Sequence, residues 1–335
     1  MRSALITALA VGGWALATAA AQAAAPGYHV VAKIPGPDGG WDYVRVDTAN
    51  NQVLVARGTS VMRLNLDTLA VTGGLAPGQG LHDPYPVNRG AEVAVTNGGA
   101  NTVVFVNAKT FETIATVPSG KNPDAANFDA KTGLLLAMDH SGGTVTLMDP
   151  KAHKAVATIE VGGQMEGAAF DGTGKAYVNV EDTNQIAVID IAGRKVLARY
   201  ALDGCKAPTG ITYDAANKQI LTACNGSTLM LDAPTGKILA TLSTGAGADG
   251  IAFDPKQRLA FVSAGGDGLV SVIAVGKGEA SVVEQVPTAQ SARTIGLDPR
   301  TGRLYLPSAT LGPAPAGGGR RPVLPGTFRL LVLAK

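Results

Sequence analysis

The sequence of 335 residues lacks the short motifs that identify many enzymes. It contains no G-x-S-x-G elbow, no H-E-x-x-H and no C-x-x-C, so nucleophilic catalysis has no visible candidate. Gly245–Gly250 matches G-x-G-x-x-G, but a strand pattern follows it where a phosphate-binding loop requires a helix. No stretch after residue 24 has a convincing helical period.

The sequence also lacks a large excess of positive or of negative charge. The chain has 28 Lys and Arg residues against 26 Asp and Glu residues, which gives a formal net charge of +2. The basic residues are scattered along the chain and form no stripe. Nucleic-acid binding driven by electrostatics needs a concentrated basic surface. We therefore expect no nucleic-acid partner.

Residues 1–23 have the three parts of an export signal. Arg2 supplies the positive start, Ala4–Ala20 is an apolar run, and Ala21–Ala23 is a small-x-small cleavage site. A membrane anchor is the alternative, but the run is rich in Ala and contains Gly12 and Gly13, so it is weakly hydrophobic for a span. We expect a periplasmic or secreted protein with no membrane span after cleavage.

Cysteine is scarce, and both cysteines fall in one repeat of the chain. Cys205 precedes the first predicted strand of that repeat, and Cys224 begins the loop between its second and third strands. These two loops lie on the same face of a four-stranded meander. In an exported protein this placement predicts a disulfide, with two buried thiols as the alternative.

A strand–turn–strand unit recurs along the chain, as in Gly250–Ser263. Each copy has a polar residue that opens the turn, because Asp and Asn tolerate turn conformations or bind their own backbone. Successive anchors are 40–44 residues apart. The anchors are Asp47, Asn88, Asp129, Asp171, Asp214, Asp254 and Asp298. A period in this range indicates a stacked or circular array of repeats.

Four short strands fill each period. In one copy they begin with Gly167–Asp171, Ala176–Val180 and Gln185–Asp190, where apolar and polar residues alternate between turn residues. Four strands in about 42 residues are typical of a propeller blade. The sequence therefore predicts an all-β, seven-bladed β-propeller formed by residues 24–335 as a single domain, which we expect to be a monomer.

Two copies carry a more specific likeness. Ala176–Val180 with Ile186–Asp190, and Glu92–Asn97 with Thr102–Asn107, resemble the repeat of the YVTN family of β-propellers. Residues 28–335 as a whole are similar to the YncE-like proteins of that family. The resemblance implies an exported seven-bladed propeller and does not name an activity.

The last copy lacks a fourth strand, while an isolated strand precedes the first copy. The last copy begins at Ser291 and ends at Phe328–Leu333. We predict that residues 28–34 supply the missing outer strand of blade seven. Closure of this kind removes the exposed sheet edge that an open array would leave.

Five residues before each anchor lies a position where the chain enters its innermost strand. Circular symmetry would gather these seven positions around one mouth of the central channel. They are Asp42, Asp83, Asp124, Glu166, Thr209, Asp249 and Arg293. The five carboxylates among them repel one another unless a cation or donor lies between them. Arg293 can neutralise part of that charge. The rest could be neutralised by a divalent cation such as Ca²⁺ or Mg²⁺, bound by Asp42, Asp83, Asp124, Glu166 and Asp249. The alternative is a folding role, in which these side chains accept backbone N–H bonds.

Other candidate ligand-binding residues fall on the same face. Trp41 precedes Asp42 and could stack on a ligand, and His82 and His140 come from neighbouring blades, although a histidine in a loop is commonly only solvated. The insertion Ser308–Thr327 in blade seven could cover the mouth and place Arg320 or Arg321 over an anionic ligand. A solvated loop without structure is the alternative.

Two classes of function fit these features. The first is a non-catalytic module that binds a small molecule, a peptide or a periplasmic protein through the polar face at the channel mouth. The second is a metal-dependent hydrolase, lactonase or lyase, in which the acidic ring holds the cation and His82 or His140 acts as base. The second rests on analogy with other propeller enzymes.

Overall fold

The protein, represented by a computed structural model, is described for residues 25–317, 319 and 321–335. The predicted export signal, residues 1–23, lies outside the described residues. Within them the chain forms seven four-stranded antiparallel sheets arranged as a ring. The predicted seven-bladed β-propeller is therefore confirmed. No helix among these residues is long and apolar enough to cross a membrane.

The strands follow chain order within each of the first six blades. Blades one and two consist of β2 (Val44–Asp47), β3 (Gln52–Ala56), β4 (Val61–Asn65), β5 (Val71–Leu75), and of β6 (Leu81–Val87), β7 (Glu92–Asn97), β8 (Thr102–Asn107), β9 (Thr113–Pro118). Blades three and four consist of β10 (Pro123–Asp129), β11 (Leu134–Asp139), β12 (Thr144–Asp149), β13 (Lys154–Glu160), and of β14 (Met165–Phe170), β15 (Lys175–Val180), β16 (Gln185–Asp190), β17 (Lys195–Ala201). Blades five and six consist of β18 (Ile211–Asp214), β19 (Gln219–Cys224), β20 (Gly226–Asp232), β21 (Ile238–Gly245), and of β22 (Ala248–Asp254), β23 (Leu259–Ala264), β24 (Leu269–Val275), β25 (Ala280–Pro287). Short 3₁₀ turns occupy Asn88–Gly90 and Gly98–Ala100.

Blade seven joins the two ends of the propeller. From the axis outward it consists of β26 (Gly296–Leu297), β27 (Leu304–Ser308), β28 (Arg329–Ala334) and β1 (His29–Pro35). β1 pairs antiparallel with β28, from His29 opposite Ala334 to Pro35 opposite Arg329. The predicted ring closure is confirmed. The side chains of β1 alternate between exposed and half-buried, as expected of an outer strand with one covered face.

The anchor residues of six blades open their turns by accepting backbone hydrogen bonds. Asp254 Oδ1, for example, accepts from the N–H groups of Lys256 and Gln257 at 2.9 and 3.2 Å. The anchor side chain satisfies donors that the turn would otherwise leave unpaired. Blade two differs, because Asn88 takes up a left-handed conformation with φ 51° and its amide donates to Pro150 O.

Neighbouring blades pack face to face, and the apolar core lies between them. Each of the seven blade interfaces holds a separate cluster of buried side chains among the described residues. At the interface of blades three and four, for example, Leu136 and Met138 pack with Val178. At the seam, Trp41 and Val53 of the first blade pack with Phe328 of the last. Burial of apolar surface at each interface stabilises the ring.

The two cysteines form a disulfide. Cys205 and Cys224 are bonded, with their Cα atoms 5.4 Å apart, and the predicted pairing is therefore confirmed. Both side chains are buried beside Ile220 and Leu229, at the interface of blades four and five. The bond ties the chain entering blade five to the end of β19.

The central channel narrows around Tyr43. Gly167, Gly210 and Gly250 occupy the equivalent position one residue after the ring position in blades four to six, and Tyr43 occupies it in blade one. A Cβ at Gly210 would lie 2.7 Å from Ile251 N, so a side chain there would collide with the next blade. These glycines let the inner strands approach closely. The space that they line together with Tyr43 is only about 60 Å³.

Candidate functional site

A cavity of about 850 Å³ opens at one mouth of the channel. We call it the mouth cavity. Six of the seven ring positions line it: Asp42, Asp124, Glu166, Thr209, Asp249 and Arg293. Trp41, His82 and His140 also line it, as the sequence predicted for their face. Tyr43 lines both the mouth cavity and the narrow space of about 60 Å³, so the two meet at this residue.

β-Bulges in the inner strands aim the ring side chains at the cavity. The pairing register shifts between Pro123 and Ala126 in blade three and between Met165 and Ala168 in blade four. Asp124 and Glu166 lie inside these irregular segments. A bulge places an extra residue in one strand and re-aims its side chain, which is a common arrangement beside functional sites.

Asp83 does not face the mouth cavity, contrary to the sequence-based prediction. In blade two the shift falls between Leu81 and Pro84, just as it falls between Pro123 and Ala126 in blade three, so His82 rather than Asp83 is the residue equivalent to Asp124 and lines the cavity. The Asp83 side chain is fully buried, where it binds the guanidinium of Arg45 (Nε to Oδ1, 2.8 Å) and the backbone N–H of Ala126 (2.9 Å). A buried carboxylate needs such partners, so Asp83 holds the inner strands together.

His82 joins acids from the blades on either side. Its Nδ1 lies 2.7 Å from Asp42 Oδ2 and 3.6 Å from Asp124 Oδ1. Burial alone would lower the pKa of His82, but the hydrogen bond to Asp42 and the charge of Asp124 outweigh it and raise the pKa to about 9. The imidazole is therefore held in its charged form at neutral pH.

His140 forms a second pair on the opposite side of Asp124. Its Nδ1 lies 3.1 Å from Glu166 Oε1 and 3.2 Å from Met165 O. The hydrogen bond to Glu166 raises the pKa of His140 to about 9, although burial opposes it. Burial raises the pKa of Glu166 to about 7, despite the hydrogen bond from His140. This pair comes from β14 and from the loop after β11.

Arg293 neutralises the acids on the blade-seven side. Its Nε donates to Asp249 Oδ2 at 2.5 Å, and its Nη2 donates to Asp42 Oδ1 at 3.2 Å and to Trp41 O at 3.0 Å. Burial would lower the pKa of Arg293, but the charges of Asp249 and Asp42 outweigh it and raise that pKa further. The predicted compensation of ring charge by Arg293 thus has a geometric basis.

Asp124 lies between the two histidines and is the least satisfied acid of the cavity. Its Oδ1 atom is buried and accepts no hydrogen bond from any residue in the described part of the chain. Burial, together with the charges of Asp42 and Glu166, raises the pKa of Asp124 well above its usual range, against the lowering effect of His82 and His140. Trp41 Nε1 and Tyr43 Oη are likewise buried without a hydrogen-bond partner among the described residues. Buried polar groups in this condition commonly have a partner that the protein itself does not supply.

The insertion Ser308–Thr327 forms an arm over the cavity rather than an unstructured loop. Leu311 pairs with Val323, and both line the mouth cavity and pack beside Trp41. Arg321 also lines the cavity, but its guanidinium donates to Gly312 O and Leu311 O of the same arm. Arg320 lies outside the described residues. The arm therefore covers part of the mouth with apolar side chains.

Several lining residues escape prediction from the sequence. Tyr43, Asn122 and Ser291 line the mouth cavity without having been singled out, whereas Glu181 lines it as expected for its face. Tyr43 could have been recognised because it replaces the glycine that blades four to six carry at the same position of the repeat. Asn122 and Ser291 carry no such signal, because their loops vary from blade to blade.

Comparison with known proteins identifies the fold and no family. No family model and no curated protein matches the chain. A chain in the crystal structure of the mitotic checkpoint complex is similar over 100% of this chain and 99% of its own length, with a TM-score of 0.73 and 14% identity. A chain of hydrazine synthase from Kuenenia stuttgartiensis is similar over 84% of this chain and 95% of its own length, with a TM-score of 0.69 and 17% identity. At these identities the likeness establishes a shared β-propeller fold.

Proposed function

We propose that this protein is an exported, YncE-like β-propeller that binds a small polar molecule in the mouth cavity. The observation that carries the proposal is a cavity of about 850 Å³ whose wall holds buried polar atoms, on Trp41, Tyr43 and Asp124, that have no hydrogen-bond partner among the described residues. Pockets of about 300–1,000 Å³ with a few converging polar groups are typical of small-molecule sites. The ligand would offer an acceptor to Trp41 Nε1 and would be covered by the apolar arm.

The predicted export signal and the closed ring bear on the location and the oligomeric state of the protein. The predicted signal at residues 1–23 supports a location in the periplasm or outside the cell, and the paired edge of blade seven favours a monomer. A thermal-shift screen of periplasmic metabolites on the purified protein tests the main proposal, followed by titration calorimetry of each hit.

Two aromatic substitutions make that test specific to the cavity. Trp41→Phe removes the indole N–H, and Tyr43→Phe removes the hydroxyl. We expect the affinity for a true ligand to fall at least about tenfold in one or both variants, which corresponds to about 1.4 kcal/mol. Tyr200→Phe is the matched control, because Tyr200 donates to Ala233 O away from the cavity. A screen with no binder, or binders unaffected by both cavity variants, would contradict the proposal.

A metal-dependent hydrolase, lactonase or lyase is the second candidate. The observation in its favour is that two histidines lie in hydrogen-bond contact with carboxylates on the wall of one cavity. Turnover of ester and lactone substrates with added divalent cations would support it, and loss of that turnover in His82→Ala or His140→Ala would assign the base.

A third candidate function is the binding of a partner protein by the face that carries the mouth cavity. One similar structure is described as a mitotic checkpoint complex, and loops on a rigid propeller commonly carry such contacts. For this chain, co-purification from the periplasm with and without the arm Ser308–Thr327 would test whether the rim binds a protein.

A further inference from the structure

Five side chains of the mouth cavity fall into two groups that share one residue. Asp42, His82 and Asp124 can each present a ligand atom with all three atoms within 4.8 Å of one another. Asp124, His140 and Glu166 can do the same. The residues come from four adjacent blades, so their positions are fixed by packed inner strands and short loops rather than by one mobile segment.

Pairing within the protein accounts for only part of this cluster. Arg293 donates hydrogen bonds to Asp249 and to one oxygen of Asp42, on the blade-seven side of the cavity. The other Asp42 oxygen faces His82, and Glu166 faces His140. Asp124 Oδ1 has His82 at 3.6 Å and accepts no hydrogen bond from the described residues. A buried carboxylate oxygen without a hydrogen bond can bind a metal ion, which would displace the proton from each neighbouring imidazole.

The types of donor atom decide the class of cation. Ligand atoms within 4.8 Å of one another suit bonds of about 2.1 Å to a transition metal and of about 2.4 Å to Ca²⁺. The spacing therefore does not distinguish between these two classes of cation. Ca²⁺ and Mg²⁺ are bound almost entirely by oxygen. Imidazole suits Zn²⁺, Fe²⁺, Ni²⁺ and Cu²⁺, and mixed sets of His and carboxylate are typical of divalent first-row metals.

We propose that Asp42, His82, Asp124, His140 and Glu166 form a centre for a divalent transition metal, with Asp124 as the shared ligand. The centre differs from the all-carboxylate set predicted from the sequence, because Asp83 is buried against Arg45 and Asp249 binds Arg293. The inference rests on the proposed function in that the cation occupies the same cavity. There it would present an electrophile to the oxygen or nitrogen atoms of a bound molecule.

Cobalt binding in the absence of any organic ligand tests the proposal. The full exported protein is treated with chelator, dialysed and titrated with Co²⁺, Zn²⁺ and Mn²⁺, and separately with Ca²⁺ and Mg²⁺. We expect saturable binding of the transition metals with at least one equivalent per chain, visible Co²⁺ ligand-field bands, and nitrogen coupling in pulsed EPR of the Mn²⁺ form. Asp124→Asn, His82→Ala and His140→Ala should each weaken Co²⁺ binding at least about 100-fold.

His153→Ala is the matched control for the histidine variants. His153 Nε2 lies 2.8 Å from Glu92 Oε2, so it forms the same kind of pair outside the mouth cavity. This variant should bind Co²⁺ as the wild type does, and cooperative melting without metal identifies any variant that fails to fold. Absence of saturable binding, absence of nitrogen coupling, or equal binding in Asp124→Asn would overturn the proposal. So would Ca²⁺ or Mg²⁺ binding that exceeds Co²⁺ binding.

The metal centre and the small-molecule site can fail separately. A protein that binds Co²⁺ through these residues but no metabolite would retain the metal centre and refute the ligand proposal. A protein that binds a metabolite through Trp41 and Tyr43, equally well after chelation and with no affinity for the metals, would do the reverse.

Discussion

Arg293 Nη2 donates to Asp42 Oδ1 at 3.2 Å and thereby joins the inner-strand entrance of the last blade to that of the first. The same guanidinium binds Asp249 of blade six, so one side chain links three blades around the axis. Because its planar group has donors in several fixed directions, lysine cannot reproduce this arrangement.

We expect Arg293→Met to leave Asp249 and Asp42 without their cation and to lower the free energy of unfolding by about 1–3 kcal/mol. Arg293→Lys should recover only part of the loss, because a single ammonium cannot hold both carboxylates in the same geometry. Urea unfolding at pH 7 measures the difference. Lys195→Met, which changes an exposed cation on β17, is the control, and equal effects at both sites would contradict the argument.

Asp214, in the turn of blade five, should make the free energy of unfolding depend on pH. Burial would raise the pKa of Asp214, but hydrogen bonds from Arg258 and Asn217 outweigh it and hold that pKa below its usual range. A carboxyl whose pKa is depressed by folding contributes stability above its unfolded pKa of about 3.9, and the contribution disappears as pH falls through the lower folded value.

Asp214→Asn should therefore destabilise the protein by about 1–3 kcal/mol at pH 7 and by progressively less below about pH 4. Denaturant unfolding of both proteins from pH 7 to pH 2.5 measures this convergence. Asp203→Asn, at an exposed position, is the control and should leave the pH profile unchanged. A constant difference across this range would show that Asp214 acts without its charge.

Loss of the disulfide should weaken the protein without abolishing the fold. The bond joins residues 19 positions apart, and in the chain-entropy model a loop of about this size contributes about 3 kcal/mol. We expect the double variant Cys205→Ala/Cys224→Ala to show a loss of this order in urea unfolding. Reductant should reproduce the loss in the wild type and have no effect on the double variant. Two free thiols in protein purified without reductant would contradict the structure.

The seam between β1 and β28 should control the integrity of the ring. Deletion of residues 28–36 removes the strand that covers the edge of β28, where Leu331 and Leu333 are buried. We expect aggregation or loss of cooperative unfolding, measured by size-exclusion chromatography and calorimetry. A synthetic peptide of residues 28–36 should restore part of the melting transition, whereas a scrambled peptide should not. Unchanged melting of the truncated protein would refute the role of β1.

A side chain at Gly210 should strain the packing of the inner strands around the channel axis. A Cβ at this position would lie 2.7 Å from Ile251 N, which belongs to backbone and cannot move alone. We expect Gly210→Ala to lower stability by about 1–3 kcal/mol, the usual range for overpacking. Gly317→Ala has open space around its Cβ and serves as the control. If both variants melt alike, the inner strands are looser than the structure indicates.

The repeat period predicted the ring because each blade satisfies the same local rules. The anchor Asp at six of the seven turns and the alternation of strand residues are properties of sequence alone, and the missing strand of the last copy implied a partner at the N-terminus. The disulfide followed from the same topology, since Cys205 and Cys224 fall in loops of one face.

The composition of the mouth cavity depended on features that the period does not encode. In blade two β6 ends at Val87, which pairs as Asp129 does at the end of β10, so His82 is the residue equivalent to Asp124 and lines the cavity, while Arg45 binds Asp83. The polar residue of that turn, Asn88, follows the end of the strand by one residue, so counting five residues back from it reaches Asp83 rather than His82. Tyr43 likewise became part of the site only because glycines in three other blades leave room for its ring near the axis.

The pairing of β1 with β28 also sets the order of events during biosynthesis. A nascent chain carries His29–Pro35 without its neighbour until the ribosome has added Arg329–Ala334. A message that ends early, or a protease that clips the final strand, therefore yields a molecule in which the first segment to emerge has nothing to bind. Closure of the ring at this one junction therefore requires a polypeptide that contains both of these strands.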